Sequence, residues 1–424
     1  MSRGYLELLR NNSDFSKLWL AQVVSLLGDW FNFVVLASMV SRFSNNSGEA
    51  ISIYLLARFL PPLIVSPYAG VIVDRFNRKY VLIASDISRA IVVPLFLLVD
   101  SPDLLWLIYL LTVIQFALSA VFEPGRNAII PSLLPREDLV AANTLSSVTW
   151  SVMLAGGAVA GGLVAESFGA ATTLLIDSAT FFVSALLIVG ITPRYQHKAE
   201  SESDVKISDD RSFREGLRYL RRHSEIAAAT FVKSGLSIGN IDAALIIYGT
   251  ELFVRGQDGI LSMSILWSAF GVGAVVGPLL TNRINDGSVQ VMRRLIIIGY
   301  IAVVAGWFVF GGAPTLLLAA FALVIRGAGG SINWTYSSII IQKETPDEYL
   351  GRMFAIDMAG FQLMTTISII VTGQVLEHLG SEQVREVVIG TGFLSLLPLA
   401  LWILLTRHLE RNGTKSVAPV IAGD

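Results

Sequence analysis

The chain contains no cysteine, four histidines and few charges: 15% of its residues are Asp, Glu, Lys or Arg. The missing cysteine excludes disulfides, thiolate metal sites and cysteine nucleophiles, and leaves the compartment open. The histidines, His197, His223, His378 and His408, are scattered, so no histidine metal site is expected. No G-x-x-x-x-G-K-[ST] stands anywhere, which excludes an ATP-driven pump of the P-loop type, and no H-E-x-x-H is present. A net charge of −2 gives no basic field for nucleic acid. No repeated filter sequence points to a channel.

What is abundant is apolar surface. Hydrophobic residues make up 53% of 424 residues, and the mean hydropathy is +0.64. No single soluble core hides that much, and the reading is a polytopic membrane protein. Twelve apolar runs are long enough to cross a bilayer: 17–41, 51–73, 80–99, 104–122, 143–165, 170–192, 226–253, 259–281, 293–312, 314–340, 353–377 and 384–406. They are continuous and do not alternate, which argues against a transmembrane barrel. No cleavable signal peptide precedes the first run. Placed on this ladder, 24 Lys and Arg fall on the side of the termini, three fall on the other side (Arg42, Arg255, Arg385), and four lie inside spans. The positive-inside rule then sets both termini in the cytoplasm.

The predicted organisation is a six-span bundle over 1–192, a cytoplasmic linker over 193–225, a second six-span bundle over 226–408 and a tail over 409–424. Within the linker, Phe213, Leu217 and Leu220 at helical spacing among basic residues predict an amphipathic helix at the cytoplasmic interface. Two weak repeats relate the halves. "PREDL" at 135–139 matches "PDEYL" at 346–350, and "GVIVDRFNRK" at 70–79 matches "GPLLTNRIND" at 277–286. Halves related by a pseudo-two-fold axis are a transporter signature.

The loop Gly70-Val-Ile-Val-Asp74-Arg75-Phe-Asn-Arg78-Lys79 between spans 2 and 3 resembles the major facilitator superfamily. Further stretches are similar to its drug-efflux branch, which includes macrolide-efflux proteins and the enterobactin exporter. They are "LGDWFN" in span 1, "FEPGRNAIIPSLLPREDLVAAN" after span 4, "DSATFFVSAL" in span 6, "EGLRYL" in the central loop and "TPDEYLGRMFA" before span 11. The resemblance implies an all-α fold of twelve transmembrane helices in two pseudo-symmetric bundles. It also implies that Gly70, Asp74, Arg75, Arg78 and Lys79 form a conformational latch; Glu123 and Arg126 at the end of span 4 either join that network or are simply solvated. Thr281 stands in the second copy where Asp74 stands in the first.

Charges inside the bilayer cost about 2.5–3.5 kcal/mol each on insertion scales, so each needs a reason. At 1.5 Å per residue, Asp29 lies about 18 Å into span 1, and Arg58 about 12 Å from the opposite face in span 2. In a core about 30 Å thick these depths coincide, and the expectation is an Asp29–Arg58 pair that tunes a proton-accepting or cation-facing acid. Asp242 and Arg326, with Asn333 beyond it, are candidates for the cavity of the second half. Trp30, Gln115 and Trp334 are too deep or too polar for lipid-facing anchors and join the cavity set. Asp86 and Arg89, three apart, can pair on one helix face. Lys233, Asp177 and Asp357 lie nearer the span ends and read as structural. Gly157-x-x-x-Gly161, and Gly271, Gly273 and Gly277, are sites of close helix packing.

The functional expectation is a secondary active transporter, not an enzyme, that exports amphipathic small molecules in exchange for protons by alternating access. The alternatives are a dedicated siderophore or metabolite exporter and a lysophospholipid flippase. The expected partners are a small amphipathic substrate, protons and the lipid bilayer, with no cofactor, no metal and no nucleic acid. The expected state is a multi-pass monomer in the plasma (inner) membrane of a bacterium.

Overall fold

A computed structural model of the chain describes residues 5–135, 138–192, 210–239 and 241–415. The described residues contain helices and no strand. In order these are α1 (Tyr5–Asn11), α2 (Ser13–Phe43), α3 (Gly48–Arg75), α4 (Arg78–Val92), α5 (Leu105–Ser119), α6 (Phe122–Leu133) and α7 (Leu139–Val189). Then come α8 (Asp210–Arg222), α9 (Ser224–Thr230), α10 (Val232–Leu236), α11 (Ile241–Ile247), α12 (Ile260–Asn282), α13 (Val289–Gly311), α14 (Leu316–Glu344), α15 (Asp347–Leu379) and α16 (Val384–Lys415). Among the described residues, ten helical stretches are long and apolar enough to cross a membrane.

Three of the expected spans take another form. Spans 5 and 6 lie in the single 51-residue run of α7, divided at Gly169, whose φ of 81° and ψ of 163° are non-helical. That backbone is easy for glycine and strained for any residue with a Cβ. Span 7 is not one rod: α9, α10, α11 and a wide turn at Tyr248–Leu252 share its length. Polar caps fix several starts. Ser47, Ser288 and Thr315 accept from backbone amides three residues on, and Asn77 accepts from the amide of Lys79.

The chain divides into two compact units. The first takes in Met1–Glu202, Ile241–Gly271 and Ile369–Val384; the second takes in Ser203–Asn240, Val272–Ser368 and Arg385–Asp424. The first unit therefore draws in stretches from the second half of the sequence. In it, Arg42 pairs with Asp258 at 3.0 Å, and the Ser41 hydroxyl donates to Thr250 Oγ1 at 2.9 Å. Ser47 donates to Glu377 at 2.7 Å, and Ser52 to the Ile369 carbonyl at 3.1 Å. The glycines of α7 admit α2 closely. A Cβ on Gly157 would lie 2.5 Å from the Trp30 ring, and one on Gly161 would lie 3.1 Å from Phe31. Without water to drive apolar association, such close packing is what holds helices together in lipid.

In the second unit, α13 packs on α14, with Gly299 and Gly306 facing Asn333 and Arg326. The linker helix forms as α8, and of its expected apolar face Leu220 is covered by protein while Leu217 stays exposed. Leu220 is buried with Ile226, Met292 and Trp402, Gly216 abuts Ile356, and Tyr219 stacks on Tyr349 with ring centroids 4.3 Å apart. Segment 193–209, part of the expected linker, lies outside the described residues, as do Phe213's side chain and tail residues 416–424.

Candidate functional site

The strongest electrostatic feature of the first unit is centred on Arg89 of α4, which is 2% exposed. One turn away on the same helix, Asp86 forms an ion pair with it, as its spacing predicted. Asp86 is fully buried, and its second oxygen accepts from the Ser184 hydroxyl of α7 at 2.6 Å. The Arg89 guanidinium lies over the Phe181 ring at 4.2 Å and the Phe122 ring at 4.9 Å. From α2, Asp29 brings a carboxylate oxygen to 3.9 Å of the guanidinium. Its side chain is 23% exposed, against 0% for Asp86, so it is the less enclosed acid of the two.

The expected Asp29–Arg58 pair is not formed. Arg58 lies between two rings instead, its guanidinium 4.6 Å from the Phe33 centroid and 4.5 Å from Phe116, with Nη1 buried and unbonded. Depth along a helix places two residues at one level but leaves their rotation open. Here α2 turns Asp29 toward α4, while α3 turns Arg58 toward α5. Cation–π contact takes the place of a counter-ion.

Trp30 packs against Trp267 (5.6 Å) and Phe33 (5.7 Å), and Phe33 reaches Tyr54 and Trp267 in turn. These rings form an aromatic block one residue beyond Asp29. Gln115 is 1% exposed, and neither end of its amide has a partner among the described residues. Asp242 stands in the first turn of α11 and bears electrostatically on Tyr54.

The second unit holds an ion pair that the sequence reading left at the span ends. Lys233 of α10 bonds to Asp357 of α15, and the two are 2% and 0% exposed. The Lys233 ammonium lies 4.6 Å from the ring of Trp334, which meets Phe361 edge-on at 5.0 Å. Beside the pair, Ser237 bonds with Thr365 and Ser368. The two charges are 124 residues apart, and only their opposite sign within spans 7 and 11 could have signalled the pairing. Arg326 is buried over the Trp307 ring at 4.6 Å, and Asn333 is fully buried against Gly299. Lys233–Trp334 and Arg326–Asn333 thus belong to two neighbourhoods rather than one described cluster.

The loop between α3 and α4 is tied to its own unit. Arg78 donates to the Ala128 carbonyl of α6 at 2.8 Å, and Lys79 to the Ile191 carbonyl after α7 at 2.8 Å. Arg75 is exposed. Gly70 and Asp74 sit on the helical backbone of α3, and the latch expected at the Asp74 side chain lies outside the described residues. Arg126 pairs with Glu123 at 2.7 Å and donates to Gln22 at 3.1 Å and Ser146 at 2.9 Å. These bonds join α6 to α2 and α7.

Long apolar helices and buried charges define a multi-span helical transporter fold. A bacterial homolog of the human lysosomal transporter Spinster, solved in an inward-facing and unoccupied conformation, matches it with a TM-score of 0.72 at 13% identity, over 96% of this chain and 98% of that one. The chain belongs to the transmembrane secretion effector family of the major facilitator superfamily, whose family model matches residues 7–416. Among its relatives, the uncharacterized MFS-type transporter YfiS of Bacillus subtilis is 27% identical over 88% of this chain and 89% of its own length. Macrolide efflux protein A of Streptococcus pyogenes is 22% identical over 86% of this chain and 90% of its own length. These relatives place the chain with the drug-efflux branch of the superfamily.

Proposed function

We propose that this protein is a proton-coupled exporter of amphipathic small molecules, working by alternating access. The observation that carries the reading is Asp29. It is a partly exposed acid inside a membrane span, held 3.9 Å from an arginine that already has a buried counter-ion in Asp86. Arg89 therefore neutralises only one of the two acids outright. The other can exchange a proton without leaving the cluster uncompensated. The aromatic block around Trp30 and Trp267 supports an amphipathic or lipophilic substrate.

In this reading the chain crosses a bacterial inner membrane twelve times as a monomer, with both termini in the cytoplasm. Its two bundles are 1–192 and 226–408. The bonds of Ser41, Ser47 and Ser52 to 241–271 and 369–384 then lie on the outer side and hold it shut. The Arg75–Lys79 loop serves as the inner latch.

The test is transport by the full chain in proteoliposomes with an imposed proton gradient. Ethidium and a macrolide are offered to the wild type and to Asp29→Asn. Gradient-driven movement that Asp29→Asn abolishes supports the reading. Movement of a fluorescent lysolipid alone, indifferent to the gradient, replaces it with a flippase.

A further inference from the structure

Two stretches of the sequence meet in the first unit beside the Asp29 group. They are "LGDWFN" of α2 and "DSATFF" of α7. Gly28 lies so close to α7 that a Cβ on it would stand 2.1 Å from Thr180 Oγ1 and 2.4 Å from Asp177 Oδ1. Asp177 is fully buried, and neither of its carboxyl oxygens finds a hydrogen-bond donor among the described residues. Thr180 does not supply one, because its hydroxyl donates to the Asp177 carbonyl at 2.6 Å. Asn32 of α2 is the nearest donor: it acts on the carboxyl outside normal hydrogen-bond geometry, and as a neutral amide it leaves the charge uncompensated.

The charged groups facing Asp177 are Asp29 from α2, Arg58 from α3 and Arg89 from α4. Arg89 is committed to Asp86 and lies within 3.9 Å of Asp29, and Arg58 is held between rings. Neither arginine forms an ion pair with Asp177 among the described residues, although both charges bear on it. An ionised carboxyl in so dry a place, with no well-placed donor and a second acid nearby, is strongly penalised by burial.

We propose that Asp177 is the buried proton carrier of the transport cycle. It is held as the neutral acid while Gly28 seals it, and is opened to Asp29 and water when α2 draws away from α7. On opening, the O–H bond of Asp177 breaks. The proton passes to a water or to the Asp29 carboxylate, and the new negative charge on Asp177 turns toward Arg89. The cluster loses one proton or moves it by one residue, and no other reactant is needed. The glycine thus couples helix movement to proton release: space opens at Gly28 only when the two helices part.

This rests on the proton-coupled reading, and the test separates the two. Infrared spectra of the full chain in nanodiscs, with carbon-13 aspartate, report protonated carboxyl groups without any substrate. The expected result is a protonated aspartate band at neutral pH that persists in Asp29→Asn and is lost in Asp177→Asn. A wild-type spectrum without the band overturns the proposal, as does a band that survives in Asp177→Asn. Gly28→Ala guards against a misfolded Asp177 variant. By prying the seal, it should make the Asp177 band disappear at a lower pH than in the wild type, and an unchanged band counts against the seal. In proteoliposomes, Asp177→Asn should lower gradient-driven ethidium efflux by roughly tenfold, within the range typical of coupling between sites, and leave downhill ethidium exchange intact. If the wild type drives no efflux but keeps the band, the coupling reading fails and the assignment of the buried proton stands.

Discussion

Lys233 and Asp357 form the one buried ion pair described between separate helices of the second unit, and an aromatic face, Trp334, lies 4.6 Å from the ammonium. It parallels the Arg89–Asp86 pair and its Phe181 face in the first unit, with a different wiring. There the pair lies within one helix; here it pins α10 to α15.

Removing one partner should be worse than removing both. Asp357→Leu leaves an uncompensated buried ammonium and should cost about 3–5 kcal/mol, whereas Lys233→Met with Asp357→Leu should restore most of that. Thermal unfolding of the purified variants in detergent measures the difference. Equal losses in the single and double variants would remove the pair from the stability account.

Asp29 should behave oppositely. It is partly exposed and loosely paired, so Asp29→Asn should change stability by no more than about 1 kcal/mol while abolishing gradient-driven transport. A melting shift as large as that of Asp357→Leu would make Asp29 a structural charge.

Arg58 offers a test of its ring contacts. Arg58→Lys keeps the charge but loses the planar face that lies over Phe33 and Phe116. A loss of about 0.5–2 kcal/mol is expected, and Phe116→Leu should produce a similar loss that is not additive with it. A double-mutant cycle by thermal unfolding reads the coupling directly.

Gly169 isolates a backbone effect. Nothing lies within 4 Å of a Cβ built there, so Gly169→Ala meets no clash. Only the left-handed backbone opposes it, at a cost of about 1–2 kcal/mol. An unchanged melting temperature would show that the α7 break tolerates a right-handed residue.

The absence of native cysteine makes a crosslinking test clean. Ser41 and Thr250 bond through hydroxyls 2.9 Å apart, so Ser41→Cys with Thr250→Cys should form a disulfide on mild oxidation. Transport should stop on oxidation and return on reduction. Transport that continues through a verified crosslink would show that this contact does not open during the cycle.

The membrane class was readable because span length is a one-dimensional signal, carried by runs such as 293–312 and 314–340. The Asp86–Arg89 pair was readable because both partners share one helix at a fixed spacing. Asp29–Arg58 misled because depth is written in the sequence and helix rotation is not. Lys233–Asp357 and Gly28–Asp177 were hidden for a related reason. Each joins residues more than a hundred positions apart, and only packing reveals which faces meet. Span 7 read as one run because its breaks occur among apolar residues, where composition carries no mark of them.

Ser52 and Gly373 have a different kind of consequence. A Cβ on Gly373 would lie 2.5 Å from the Ser52 Cβ, although the two residues come from opposite ends of the sequence and share one compact unit. Any enlargement at one position must be answered at the other. A larger side chain is therefore accepted at this contact only as a paired substitution, one position giving up the volume that the other gains.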